Sequence, residues 1–190
     1  MAESSLDSLK QTRAVRAEFR AYELRPEGTP PLPPEVEAEY RQRVAAGWPR
    51  TQQIARERFG LELKRMDEPQ PRPTRKAHIG AKYAIALGQG DAYHLAVFRA
   101  HWQELRDISS VETLVEIARS LGLDEAGFRA ALDDPDYQVQ VETDEYWAWQ
   151  QDLRGVPAFI FAGRYLVSGA QPVELLQQVV DRCVQEDLSS

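Results

Sequence analysis

A chain of 190 residues, 43% hydrophobic and 28% charged, has the composition of a folded globular protein and the length for one ordinary domain or a small domain carrying an insertion. Its 30 acidic against 23 basic side chains leave a net charge of -7, which repels phosphate backbones, so nucleic acid is not an expected partner. No apolar run approaches bilayer length and Met1 to Lys10 holds no signal-peptide core, so no membrane partner and a cytoplasmic location are expected.

Ser4 to Arg13 predicts a short helix, with Ser4 or Ser5 as a plain N-cap. Val15, Ala17, Phe19 and Ala21 then alternate with Arg16, Glu18, Arg20 and Tyr22, the period-two pattern of a half-buried edge strand. Arg25 to Pro34 contains five prolines, which remove donors and fix backbone angles, and reads as an extended surface connection. From Glu35 to about Asp133 the apolar spacing is helical, with breaks at Gly60 to Thr74, Gly88 to Gly90, Asp107 to Ser110 and Gly122 to Asp124. Within this block Ser110 is placed to cap one helix and Asp124-Glu125 to open the next.

The last fifth changes character. Asp144 to Leu153 predicts a helix carrying Tyr146, Trp149 and Leu153, ended by Gly155. Ala158 to Phe161 and Tyr165 to Val167 follow as two strands joined by an Ala162-Gly163 turn. Pro172 fits the first turn of a closing helix with an apolar stripe of Val173, Leu176, Val179, Val180 and Cys183. There is no internal repeat. The order α, β, helical block, α, β, β, α describes a mixed sheet interrupted by a helical insertion, an α/β class.

Few residues here carry chemistry of their own. Cys183 is the single cysteine, so the chain can form no intrachain disulfide and no cysteine-based metal site, and its place on the apolar stripe predicts a buried, inert thiol. His78, His94 and His101 could suggest a metal, but His94 and His101 lie seven apart beside Phe98 and Trp102 with no acidic or second histidine at i+4 from either, and no metal is expected. Gly88-Gln89-Gly90 has neither a following glycine nor a preceding strand, so it is a loop, and no cofactor is expected. Tyr146, Trp147 and Trp149 at helical spacing are read as core rather than as a ligand groove.

Three segments, taken together, resemble one family. GVPAFIFAGRYLVSGAQPVELLQQVV from Gly155 to Val180, Tyr22-Glu23-Leu24-Arg25-Pro26, and Tyr93 to Phe98 continuing through Asp107-Ile108 to Leu123 are similar in order and content to DsbA-like thioredoxin-fold oxidoreductases of the FrnE type. The resemblance implies an α/β thioredoxin-like fold with a large all-helical insertion. Residues 1–30 and 138–190 would form an incomplete thioredoxin-like domain, and residues 31–137 the insertion. It further implies a cis Val156-Pro157 bond, in a loop where Gly155, Val156 and Pro157 bind a thiol- or disulfide-bearing protein or a small-molecule substrate.

In that family a first strand ends in Cys-Pro-Trp-Cys or a close variant at the start of the first helix. Counting back from Leu6, the motif would fall just upstream of Met1, and the chain is expected to start inside or just before that helix. No catalytic residue is therefore expected within the sequence, because disulfide exchange needs an activated thiolate and a second, resolving cysteine. By the same resemblance the missing strand would lie between Val15 to Tyr22 and Ala158 to Phe161. Either the Val15 to Tyr22 strand moves inward to pair with Ala158 to Phe161, or a second copy covers the gap in a homodimer. Three functions follow: a thiol-disulfide oxidoreductase or isomerase that is inactive as written, a cysteine-free binding module of the same fold, or a glutathione-dependent isomerase. The third class, 2-hydroxychromene-2-carboxylate isomerases with the kappa-type glutathione transferases, shares the fold and uses a serine at the start of the first helix.

Overall fold

The computed structural model describes residues 1–26, 28–65 and 73–188. Its helices are α1 (Ala2–Thr12), α2 (Pro34–Phe59), α3 (Arg75–Ala86), α4 (Gly90–Trp102), α5 (Val111–Ser120), α6 (Glu125–Ala131), α7 (Pro135–Gln150) and α8 (Val173–Leu188), and its strands are β1 (Ala158–Phe161) and β2 (Tyr165–Ser168). They fall into two units, one of residues 1–19 and 148–190, the other of residues 20–147. Glu27 in the proline-rich connection and residues 66–72 of the expected Gly60 to Thr74 break lie outside the described residues.

In the first unit, Leu6 and Leu9 of α1 and Leu176 and Val180 of α8 form a buried cluster. Fully burying one such leucine is worth about 1.5–3 kcal/mol. Phe159, Phe161 and Val167 from the strands pack on it, as do Val15, Ala17 and Phe19. A two-pronged ion pair from the Arg13 guanidinium to the Asp181 carboxylate, at 2.7 and 2.8 Å, links the end of α1 to α8. It holds Asp181 below the usual carboxylate range. Strand β1 runs antiparallel to β2, with Ala158 opposite Ser168 and Phe161 opposite Tyr165. Their turn uses positive φ at Ala162 and Gly163 and closes with the Arg164 N–H donating to the Phe161 carbonyl at 2.9 Å.

Two expectations fail in this unit. The Val15 to Tyr22 segment shows the alternating burial its sequence implies, yet the described sheet holds β1 and β2 alone. The segment is neither an edge strand nor paired with β1. Alternation reports which side faces the core, whereas a strand also needs a neighbour about 4.8 Å away to share its ladder. Ser4 and Ser5 are not caps either: α1 begins at Ala2 with Met1 at the N-cap position, so both serines lie inside the helix.

The second unit is helical, as the spacing predicts. Tyr93, Phe128, Leu114, Ile79, Leu132 and Val141 are its most enclosed large side chains. The Phe128 ring packs 5.7 Å from Tyr93 and 5.8 Å from Tyr83, centre to centre. Gly80 lets α3 approach these rings, since a Cβ there would collide with Tyr93 and lie 2.7 Å from Phe128 Cζ. Ser110 and Asp124 cap α5 and α6 as expected, accepting from the backbone N–H groups of Thr113 and Gly127. Helix α7 begins at Pro135 rather than at Asp144, because proline suits the first helical position and Asp134 Oδ1 accepts the Asp136 N–H at 2.9 Å.

Candidate functional site: the loop between α7 and β1

The C-terminal end of α7 turns through Asp152, whose φ is 51°. The Leu153 N–H returns to the Ala148 carbonyl at 3.1 Å and the Asp152 N–H to that of Trp149 at 3.0 Å, satisfying carbonyls that a helix end leaves open. Gly155 was expected to end this helix; Gln150 ends it, and Asp152 makes the turn. Gly155 serves differently. A Cβ there would meet nothing within 4 Å, so the loop is open at this residue.

The Val156-Pro157 peptide bond is cis and leads directly into β1. A relay of hydrogen bonds holds the loop to β2 and α1. The Pro157 carbonyl accepts the Gly169 N–H at 2.8 Å, the Gln171 side-chain amide donates to the Ser168 carbonyl at 2.9 Å, and the Ser5 hydroxyl donates to the Gln171 carbonyl at 2.7 Å. Gly169 has a φ of 81°, a conformation that glycine adopts without a Cβ penalty. Ser5 is buried, and its hydroxyl proton is committed to this relay.

Beside the loop lies a cavity of about 360 Å³ walled by Gly155, Val156, Pro157, Leu153, Arg154 and Asp152 on one side and by Leu166, Ser168 and Gly169 of the strand and turn on the other. Val156 and Leu166 are about half exposed, at 47% and 49%. Arg154 and Asp152 pair at 3.1 Å at the solvent edge. The arrangement sets Val156, Pro157 and Leu166 beside one charged pair, which can hold an extended or flat ligand, and its described wall carries a serine, Ser168, but no cysteine.

The three residues singled out in the sequence, Gly155, Val156 and Pro157, all stand on this wall. Sequence reasoning missed Asp152, Leu153, Arg154, Leu166, Ser168 and Gly169 as lining, although Leu166, Ser168 and Gly169 lie within the Gly155 to Val180 run that carries the resemblance. Cys183 is buried on α8 and in no disulfide, on the same stripe as Leu176 and Val180 and away from the cavity wall. Among the described residues no group of three or more histidine, cysteine or acidic side chains could hold a metal ion, and no helix is long and apolar enough to cross a membrane.

Tyr146 and Trp149 are not core: they are 59% and 71% exposed, and neither lines the cavity. The buried line of α7 is Val141, Asp144 and Ala148. Asp144 is an enclosed acid that accepts from the Ala21 N–H at 2.7 Å and pairs with Arg20 at 3.2 Å and Lys82 at 2.5 Å. The Arg20 guanidinium lies over the Trp147 ring at 4.4 Å. Glu23, whose side chain has no exposed surface, meets Arg75 at 2.9 Å, and Arg75 also meets Glu145 at 3.1 Å. Burial pushes the Glu145 carboxyl up, with Glu23 adding to the shift and Arg75 opposing it. Burial likewise pushes the His78 imidazole down.

Residues 1–181 match the family model described as the DSBA-like thioredoxin domain. The chain is 30% identical over 168 residues to "Uncharacterized protein YwbO" of Bacillus subtilis (strain 168), spanning 87% of this chain and 81% of that one. Among solved structures it is similar to the "probable DsbA oxidoreductase SCO1869 from Streptomyces coelicolor", with a TM-score of 0.81 and 28% identity over 97% of this chain and 84% of the other. A 2-hydroxychromene-2-carboxylate isomerase shares the fold at a TM-score of 0.73 and 20% identity, covering 99% of this chain and 91% of the other. An α/β thioredoxin-like fold with a helical insertion, a Gly-Val-Pro loop into the hairpin and a single cysteine therefore coexist here, and the chain belongs to the DSBA-like thioredoxin domain family.

Proposed function

We propose that the Pro157 loop is the substrate-binding face of a DsbA-family thiol-disulfide oxidoreductase scaffold, and that these 190 residues bind substrate without exchanging its disulfides. The substrate is an extended segment of a thiol- or disulfide-bearing protein, or a small molecule of similar breadth. The observation that carries this reading is the open cavity walled by Gly155, Val156 and Pro157. An exposed valine beside a glycine that leaves its surroundings open suits a ligand laid along the loop, with Leu166 as an apolar contact. Exchange chemistry needs a thiolate and a resolving partner, and Cys183 is enclosed in the α8 stripe.

Within the same fold the isomerase reading loses support from the serines: Ser5 is buried and donates to Gln171, and Ser4 lies inside α1. A fluorescein-labelled, extended peptide carrying a carbamidomethylated cysteine tests the binding face by fluorescence anisotropy. Binding is expected with the chain as it stands and to weaken about tenfold in Val156→Asp, which replaces an apolar side chain of the wall by a charge. Equal binding by the two proteins, with unchanged circular dichroism, defeats the proposal. In parallel, insulin reduction with glutathione should show no turnover above background, and sustained turnover would place a redox centre in these residues after all.

A further inference from the structure

Residues 20–23 meet α3 and α7 through charged groups. Arg20 and the Ala21 N–H bind Asp144 of α7, and Glu23 reaches Arg75 of α3, its Oε2 lying 2.9 Å from Nη2. Arg75 is shared three ways, because the same Nη2 donates to Glu145 Oε2 at 3.1 Å and Nη1 donates to Glu142 Oε1 at 3.4 Å. One positive charge serves three acids. The Glu142 side chain is 61% exposed and solvated, whereas that of Glu145 is 23% exposed and that of Glu23 not at all. The neighbouring cations are committed elsewhere: Lys82 and Arg20 pair with Asp144. His78, near Glu23, Asp144, Lys82 and His94, is pushed by burial toward its neutral form.

Hydrogen-bond donors run short in this cluster. Neither oxygen of Glu23 accepts a hydrogen bond among the described residues, the Arg75 contact being a close ion pair without an aligned N–H, and the enclosed Glu145 Oε1 lacks one as well. Burying a carboxylate without donors is costly, and two of them facing one cation repel each other. The two carboxyl groups lie within hydrogen-bonding reach. A single proton on Glu145 answers both deficits, since it removes one negative charge and supplies the O–H that Glu23 needs. Burial favours that protonated form of Glu145, Arg75 opposes it and Glu23 favours it, and the proton is held above the ordinary 4.5.

We propose that Glu145 and Glu23 hold one proton between them, donated by Glu145 to the Glu23 carboxylate, and that this proton latches residues 20–25 to α7. When it leaves to solvent, two like charges face each other across one guanidinium. Glu23 is then relieved by turning outward with Leu24 and Arg25, which are already exposed. The latch is closed in mildly acidic solution and opens as pH rises. It is independent of the Pro157 loop.

Infrared spectroscopy and hydrogen exchange of the full chain test it together. The unaltered chain is expected to show a protonated-carboxyl band that persists above about pH 5, where an ordinary glutamate is largely ionised, and that is lost in Glu145→Gln and in Glu23→Gln. Exchange in peptides covering residues 20–25, corrected for the intrinsic pH dependence of the reaction, is expected to quicken several-fold between that pH and about pH 8. Glu145→Gln, whose side-chain amide donates to Glu23 at every pH, is expected to abolish the quickening. Glu142→Gln touches the same guanidinium and is expected to keep both the band and the quickening, which a general weakening of the cluster would not. His78 is common to all four proteins. A chain without such a band overturns the proposal, as does a band that survives Glu145→Gln, a quickening as large in Glu145→Gln as in the unaltered chain, or its loss in Glu142→Gln.

Discussion

Burial lowers the proton affinity of His78, Glu23 and Asp144 oppose that shift, and His94 and Lys82 reinforce the lowering. The consequence for stability has a definite sign. A folded-state pKa below the ordinary 6.5 means that the unfolded chain binds the proton first as pH falls, so the contribution of His78 is complete above 6.5 and is lost below it. Glu145 acts in the opposite direction: its raised folded pKa gives stability at low pH that is lost as pH rises from its ordinary 4.5. Comparing the chain with His78→Gln isolates the imidazole, since Glu145 is common to both. Urea midpoints measured from about pH 7 down to about pH 5.5 should fall in the unaltered protein and fall less in the variant; parallel slopes would show that His78 is not held neutral by its surroundings. At this scale the sequence told the residue types and little of their surroundings. The acids around His78 were not singled out, because nothing in a charge pattern says that Asp144 will be enclosed between Lys82, Arg20 and the Ala21 N–H.

Elements defined by clean periodicity or strong punctuation were legible. The α5 and α6 caps, the α2 to α6 order, the hairpin and the α8 stripe all rest on patterns a few residues long. Helix α7 was truncated in the sequence reading because its apolar residues lie on several sides: Val139 is 57% exposed while Val141 is fully enclosed, and the buried line includes an acid. The signal that could have found its start is Asp134-Pro135, a capping acid followed by proline at the first helical position. Asp134→Ala removes the acceptor for the Asp136 N–H and is expected to cost about 1 kcal/mol, read as a lower urea midpoint at unchanged slope. No change in midpoint would mean that tertiary contacts, not the cap, fix this end. The Val15 to Tyr22 segment failed for a different reason: one strand cannot supply its own neighbour, and period two was satisfied by core contact alone.

At the scale of the molecule, the two units rest on cores of different kinds. Residues 20–147 enclose a broad cluster that joins α3 to α7 through Tyr93, Phe128, Leu114 and Val141. Residues 1–19 and 148–190 rely on Leu6, Leu9, Leu176 and Val180, with a sheet of two four-residue strands laid against them. A two-stranded hairpin is at best marginal by itself and needs a helix or further strands to persist; here α1 and α8 supply the support. Local opening follows buried apolar contact, so the hairpin should open with less free energy than the helical block. Hydrogen exchange followed by mass spectrometry is expected to show peptides covering residues 158–168 exchanging well before those covering residues 79–100 and 111–131. Leu9→Ala, which removes one of the four central side chains at a typical cost of about 2–5 kcal/mol, should hasten exchange in residues 158–168 and leave residues 111–131 as protected as before. Equal slowing of both regions in the unaltered chain, or an equal loss of protection in both on Leu9→Ala, would mean that the two clusters open as one cooperative body rather than as two.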